Sequence, residues 1–174
     1  MKRILIIGCG GSGKTTLARK LHQLLHLQLI HLDFHYWQAG WQEPSVEDWQ
    51  QTVRLLIAGD NWIMDGNYGG TLDMRAARAD TIIFLDFNRY RCLWGIFLRR
   101  IRYHGRTRPD LPAGCPERLT PEFIRYVWNY RRIRQPRILT LLKEYEQRGI
   151  KIHVFNRPGN VQRWLRSLKL KPKL

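Results

Sequence analysis

The chain is short of acidic residues, of cysteine and of long apolar runs, and each shortage removes a class of protein. Three cysteines, Cys9, Cys92 and Cys115, stand far apart with no CxxC pair. That pattern excludes a disulfide framework and a structural zinc site. It suits a reducing compartment, so a cytoplasmic protein is expected. No apolar run approaches the roughly 20 residues needed to span a bilayer. Met1-Lys2-Arg3 before Ile4–Ile7 superficially resembles a signal peptide, but Gly8 ends the run early and no small-residue cleavage site follows. His22 and His26 are spaced i, i+4 without a third partner, so no histidine metal site is expected. There is no internal repeat, and no recognisable nucleic-acid module.

What is present suits one globular domain over residues 1–174, with 44% hydrophobic residues and 11% aromatics for a core. The charge is lopsided: 30 basic against 14 acidic residues, a formal net charge of +16. Much of the excess lies between Asn88 and Arg137, where only Asp110, Glu117 and Glu122 offset a dense set of arginines. Such a surface attracts nucleotide phosphates, nucleic acid or acidic membranes, and composition does not choose among them.

Strand-like runs alternate with helical patterns, the signature of a parallel sheet with crossover helices. Expected strands are Ile4–Ile7, Leu27–Leu32, Trp62–Met64, Thr81–Phe87 and Ile152–Phe155. Helices are expected at Lys14–His26, Val46–Ala58, Leu72–Arg78, Tyr90–Tyr103, from Thr120 to about Gln147 with a break at Pro136, and at Val161–Leu168. The segment from His104 to Leu119, rich in proline and glycine, reads as irregular. Thr120-Pro121 reads as a helix cap followed by proline at the first helical position. The tail from Lys169 to Leu174 is expected to fray.

Residues 8 to 15 read GCGGSGKT, a full match to GxxxxGK[ST] between an apolar strand and an amphipathic helix. Gly8, Gly10, Gly11 and Gly13 allow the backbone to curl so that successive N–H groups, including that of Ser12, face a phosphate. The helix beginning at Lys14 aims its positive end at the same point. Lys14 reaches β- and γ-phosphates, and the Thr15 hydroxyl, with Thr16 beside it, faces a Mg²⁺ ion. ATP and Mg²⁺ are therefore the expected cofactors. Ligands of open parallel sheets bind beyond the carboxyl ends of the strands, where Asp33, Asp65 and Asp86 are found. Asp65 is expected to hold Mg²⁺ and Asp33 to orient or deprotonate an accepting hydroxyl.

With these pieces in place, the chain resembles adenylate-kinase-like P-loop kinases, and within them a bacterial branch labelled DNA topology modulation proteins. The resemblance rests on LDFHYW at 32–37, WIMDGNY at 62–68, ADTIIFLD at 79–86, GRTRPD at 105–110 and CPERL at 115–119, then Phe123, Trp128 and Asn129. It implies an α/β sandwich with a five-stranded parallel sheet, an acceptor-binding insertion about 34–60 and an arginine-rich lid about 104–120. It also implies lid arginines that close over the transferring group: Arg99, Arg106 and Arg108, with Arg131, Arg132 or Arg134 after the lid. The arginine of the family's DGFPR pattern is Gly69 here, leaving Arg75 or Arg78 to take over its grip on the acceptor.

Asp33, Tyr36, Trp37, Asn67, Tyr68 and Arg75 are thus the expected acceptor-binding set. Tyr36, Trp37 and Trp41 either stack on the acceptor or pack the small helices. Trp94 and Trp128 are expected in the core, as are Ile96, Phe97, Leu98 and Ile101, which sets a membrane partner aside. The reading is an ATP- and Mg²⁺-dependent phosphotransferase acting on a small acceptor, a nucleoside monophosphate or another hydroxyl or phosphate metabolite. The alternatives are a nucleic-acid kinase, or a nucleic-acid-binding protein that uses ATP as a switch. Nucleic acid is a possible partner because of the charge.

Overall fold

The computed structural model describes residues 1–170. Five strands form one all-parallel sheet: β1 (Arg3–Gly8), β2 (Gln28–His31), β3 (Trp62–Asp65), β4 (Thr81–Leu85) and β5 (Lys151–Phe155). Their order is β2-β3-β1-β4-β5. A parallel sheet needs a crossover between neighbours, and helices supply it on both faces, so the inner strands are buried on both sides. That explains why Ile4 to Ile7 and Ile82 to Phe84 are unbroken apolar runs, all at most 1% exposed.

The helices are α1 (Lys14–Leu25), α2 (Leu32–Tyr36), α3 (Val46–Leu56), α4 (Leu72–Arg78), α5 (Arg89–Arg102), α6 (Pro121–Ile133), α7 (Gln135–Gln147) and α8 (Pro158–Lys169). Thr120 caps α6 by accepting the Phe123 N–H at 3.2 Å, with Pro121 in the first turn. Pro136 lies in the first turn of α7, so the expected long helix is two helices meeting at Arg134. Residues 104 to 119 contain only isolated bridges, His104 to Glu117 and Thr107 to Pro116. The part of the expected frayed tail beyond residue 170 lies outside the described residues.

Two expectations are corrected. The second strand stops at His31, because its partner β3 ends at the matching residue, Asp65. With no ladder left, the chain curls into α2, placing Asp33 in a helical turn where the Trp37 N–H bonds the Asp33 carbonyl at 3.2 Å. The second correction concerns α5 and α6. Of the α5 residues assigned to the core only Ile96 is buried; Trp94, Phe97, Leu98 and Ile101 are exposed, as is Trp128 on α6. The helix buries Cys92 and Ile96 against the phosphate loop, which turns its second apolar face outward. Among the described residues, no helix is long and apolar enough to cross a membrane.

Candidate active site

The loop between β1 and α1 sits in the middle of the sheet, where β1 is flanked by β3 and β4. Its end is Gly13, in a left-handed conformation at φ 91°, which a side chain rarely adopts. Gly13 caps α1 without a side-chain hydrogen bond, and no acidic residue lies in the first turn. The positive helix end is thus left to a ligand anion. Lys14 Nζ donates to the Gly8 and Cys9 carbonyls at 2.8 and 3.0 Å. Ser12 Oγ is buried in the loop without a hydrogen-bond partner.

Thr15 Oγ1 donates to Asp65 Oδ2 at 2.8 Å. The second oxygen of Asp65 meets His31 Nδ1 at 2.5 Å. Asp65 is 5% exposed, so this carboxylate has a fixed position. A hydroxyl and a carboxylate are hard oxygen donors, and Mg²⁺ typically takes one or two protein ligands plus phosphates and water. The uncapped helix end, the unpartnered Ser12 Oγ and this oxygen pair therefore fit a Mg²⁺-bound polyphosphate. Sequence reasoning did not single out His31; its signal is the strand register, which sets it directly beside Asp65.

A single cavity of about 1040 Å³ runs from this loop across Asp33 to the aromatic residues and α7. Gly10, Gly11, Gly13, Lys14, Thr15, Thr16, Asp33, Asp65, Asn67 and Tyr68 all line it, as do Tyr36, Trp37 and Trp41. Gly8 and Ser12 are buried and do not. Asp33 Oδ1 accepts the Tyr68 hydroxyl at 2.7 Å, and Arg108 approaches Oδ2 at 3.7 Å. Asp33 nevertheless stays 41% exposed, available to a ligand. Burial and the Asp33 charge push the Tyr68 phenol well above its usual range, so it remains a donor to Asp33. Tyr36 packs against Tyr68 and Trp49 at ring separations of 4.4 and 4.9 Å, which gives it a packing role at the cavity wall.

Asn67 does more than face the cavity. Its Oδ1 accepts the Gly8 N–H at 3.1 Å and its Nδ2 donates to the Tyr126 hydroxyl at 3.0 Å. It joins the phosphate loop to α6, a role with no sequence signal beyond its place after Asp65-Gly66.

Arg75 is not available to an acceptor. It is 0% exposed and spends its guanidinium on the backbone carbonyls of Thr71, Gly66, Asn67 and Tyr68 and on the Thr71 hydroxyl. Burial pulls its pKa down, to about 9. Arg78 is likewise engaged, with the Ile57 and Ala58 carbonyls. Neither is free for the acceptor role expected of it. Arg134 stands beside Gly69 instead: its Nη1 lies 3.9 Å from where a Gly69 Cβ would be, and it lines the cavity.

The arginines expected to close over the site divide. Buried Glu117 holds Arg99 Nε at 2.8 Å through one oxygen and Arg108 Nε at 2.8 Å, off the hydrogen-bond axis, through the other. Arg108 also bonds Asp110 at 2.6 Å. Arg99 and Arg108 line the cavity, but Arg106 is exposed and outside it. Of the later set, Arg131 reaches Asp86 at 3.7 Å and Arg132 does not line the cavity. Arg91 and Arg102, which no motif marked, do, as does Arg118 of the CPERL stretch. Among the lining residues, arginines and Lys14 outnumber the carboxylates, which suits a polyanionic ligand.

No protein-family model and no curated protein matches the chain. Solved structures do. A shikimate kinase from Bacteroides thetaiotaomicron matches with a TM-score of 0.53 at 17% identity, over 97% of this chain and 96% of the other. A shikimate kinase from Acinetobacter baumannii, in complex with shikimate, matches with a TM-score of 0.55 at 17% identity, over 98% and 96%. The five-stranded sheet, the phosphate loop and these likenesses define the fold as that of P-loop kinases.

Proposed function

We propose that the chain is a phosphotransferase that moves the γ-phosphoryl group of ATP to a hydroxyl of a small acceptor, with Mg²⁺ as cofactor. It belongs, on this reading, to the adenylate-kinase-related branch its motifs resemble. The observation that carries the proposal is that Asp33 and the Thr15–Asp65 pair open into the same cavity as the phosphate loop. A binding protein that only senses nucleotide has no need of a second, exposed carboxylate facing the loop.

Lys14 and the loop amides would stabilise charge on the transferred group, in a site already organised to receive it. Thr15 and Asp65 would hold Mg²⁺, which neutralises phosphate charge when bound. Asp33, oriented by Tyr68, would accept the proton of the attacking hydroxyl. The acceptor oxygen gains a bond to phosphorus, the bridging oxygen to the β-phosphate loses its bond, and ADP leaves. Arg99 and Arg108, held at the rim by Glu117, would shield the site from water.

With Arg75 and Arg78 committed to the backbone, the nucleoside monophosphate grip expected from them is lost. Arg134 is the cation nearest Gly69, so an acceptor carrying an anionic group beside its hydroxyl fits best. The test is ATP consumption with Mg²⁺ against nucleoside monophosphates, nucleosides, sugars, hydroxy acids including shikimate, and short oligonucleotides. Stimulation by one class, lost in Lys14→Ala, supports a kinase. Silence across the panel with ATP still bound refutes it in favour of a nucleotide-switched binding protein.

A further inference from the structure

The outward face of α5 and α6 has no place in the chemistry above. Tyr90, Trp94, Phe97 and Ile101 recur along α5 at helical spacing, so they form one stripe. Ile124 and Trp128 of α6 lie on the neighbouring helix, with the Tyr90 and Trp128 rings 6.0 Å apart, edge to face. These six residues are between 40% and 68% exposed. A contiguous apolar surface of this kind marks an interaction site in a soluble fold.

The charges around it select the partner. By helical spacing, Arg89 and Arg100 run along one side of the stripe and Arg91 and Arg102 along the other. None of the four has a carboxylate partner among the described residues, although half-buried Arg100 donates to the Glu117 carbonyl at 2.9 Å, and α5 contains no acidic residue at all. Apolar side chains flanked by arginines are the pattern of helices that lie in a lipid interface, where the rings enter the acyl boundary and the cations meet anionic headgroups.

Two other occupants fit less well. Single-stranded nucleic acid binds basic grooves through the open faces of aromatic rings. Here one face of each of three rings is already taken: Trp94 and Phe97 stack on each other at 5.6 Å, and the Arg89 guanidinium covers Trp128 at 4.8 Å. A second copy of the chain would bring arginine rows against arginine rows, with Glu122 the lone carboxylate of α6 to relieve them.

We propose that the α5–α6 face docks the protein peripherally on an anionic lipid surface. Arg91 and Arg102 also line the cavity, so docking would hold its mouth close to the membrane. The proposal does not depend on the transferase reading.

The test is sedimentation of the protein with vesicles of phosphatidylcholine, with and without phosphatidylglycerol, at rising salt. Binding is expected only with phosphatidylglycerol, falling as salt rises. The double variant Trp94→Ser/Phe97→Ser, which alters exposed residues away from the cavity, should retain its fold and weaken binding by at least about tenfold. Vesicles with brominated acyl chains should quench the tryptophan emission of the parent protein, a readout that needs no variant. No sedimentation with phosphatidylglycerol, or no quenching, overturns the proposal. So does a folded variant that binds vesicles as well as the parent, or one that keeps vesicle binding while losing affinity for a single-stranded oligonucleotide.

Discussion

Gly95 of α5 and Gly11 of the phosphate loop are in backbone contact: a Cβ on Gly95 would fall 2.1 Å from the Gly11 carbonyl oxygen. Neither side can yield, because both atoms belong to the main chain. Gly95→Ala is therefore expected to push α5 off the loop, costing about 1–3 kcal/mol of stability and weakening ATP binding. Gly59→Ala, where a Cβ meets nothing within 4 Å, is the matched control and should leave both unchanged. Thermal melts and calorimetric titration with ATP check this.

Removing the carboxylate at Asp33 should separate catalysis from nucleotide binding. Asp33→Asn is expected to lower kcat by about 10²- to 10⁴-fold, the usual loss for a general base. ATP affinity should hold, since Asp33 contacts no part of the phosphate loop. Tyr68→Phe removes one hydrogen bond to Asp33 and should cost far less. Steady-state kinetics on the acceptor found by the panel decides both.

Asp65→Asn should weaken the Mg²⁺ requirement curve rather than the fold. The amide keeps one oxygen but loses the charge, so half-saturation should move to higher Mg²⁺, and chelation of the metal should stop turnover of the parent. Titrating MgCl₂ at fixed ATP reads the shift directly.

Arg75→Met should fail for a different reason. It strips hydrogen bonds from the carbonyls of Gly66, Asn67 and Tyr68 in a dry environment. A loss of about 3 kcal/mol is expected. Arg75→Lys should not rescue it, because an ammonium cannot reproduce the planar fork. Urea denaturation of the three proteins gives the comparison.

Stability should fall with acidification through His153. This ring sits half-buried, 5.0 Å from Trp164, and burial lowers its pKa, with Lys151 adding to the effect. The fold prefers the neutral imidazole, so the unfolded chain takes up its proton first. The contribution is complete above the ordinary pKa near 6.5 and is lost as pH drops through the lower folded value. His35 is shifted in the same direction. Melting temperature should therefore decline from about pH 7 to about pH 5, and less steeply in His153→Phe.

The sheet was legible because parallel strands and crossover helices write two different periods into the chain, and the GCGGSGKT loop fell at their first junction. That Asp65 borders the cavity was legible for the same reason, because it ends β3; Asp33 reaches the cavity from α2, past the end of β2. What was hidden depends on contacts between distant segments. Nothing near Arg75 announces that it faces four carbonyls, and nothing near Arg99 or Arg108 announces Glu117 between them. Composition counts arginines; it does not say which have already met a carboxylate. The outward turn of Trp94 and Phe97 was hidden because α5 has apolar residues on two faces, and periodicity does not tell which face a glycine contact draws inward.

Arg75 grips main-chain oxygens at positions 66 to 68 and touches no side chain there. The path of that loop is thus anchored from beneath, through its main chain. Asn67 and Tyr68 therefore make their bonds to Gly8, Tyr126 and Asp33 from a backbone held in place. One buried guanidinium in this way steadies the phosphate loop and the Asp33 carboxylate together, through the segment that links them.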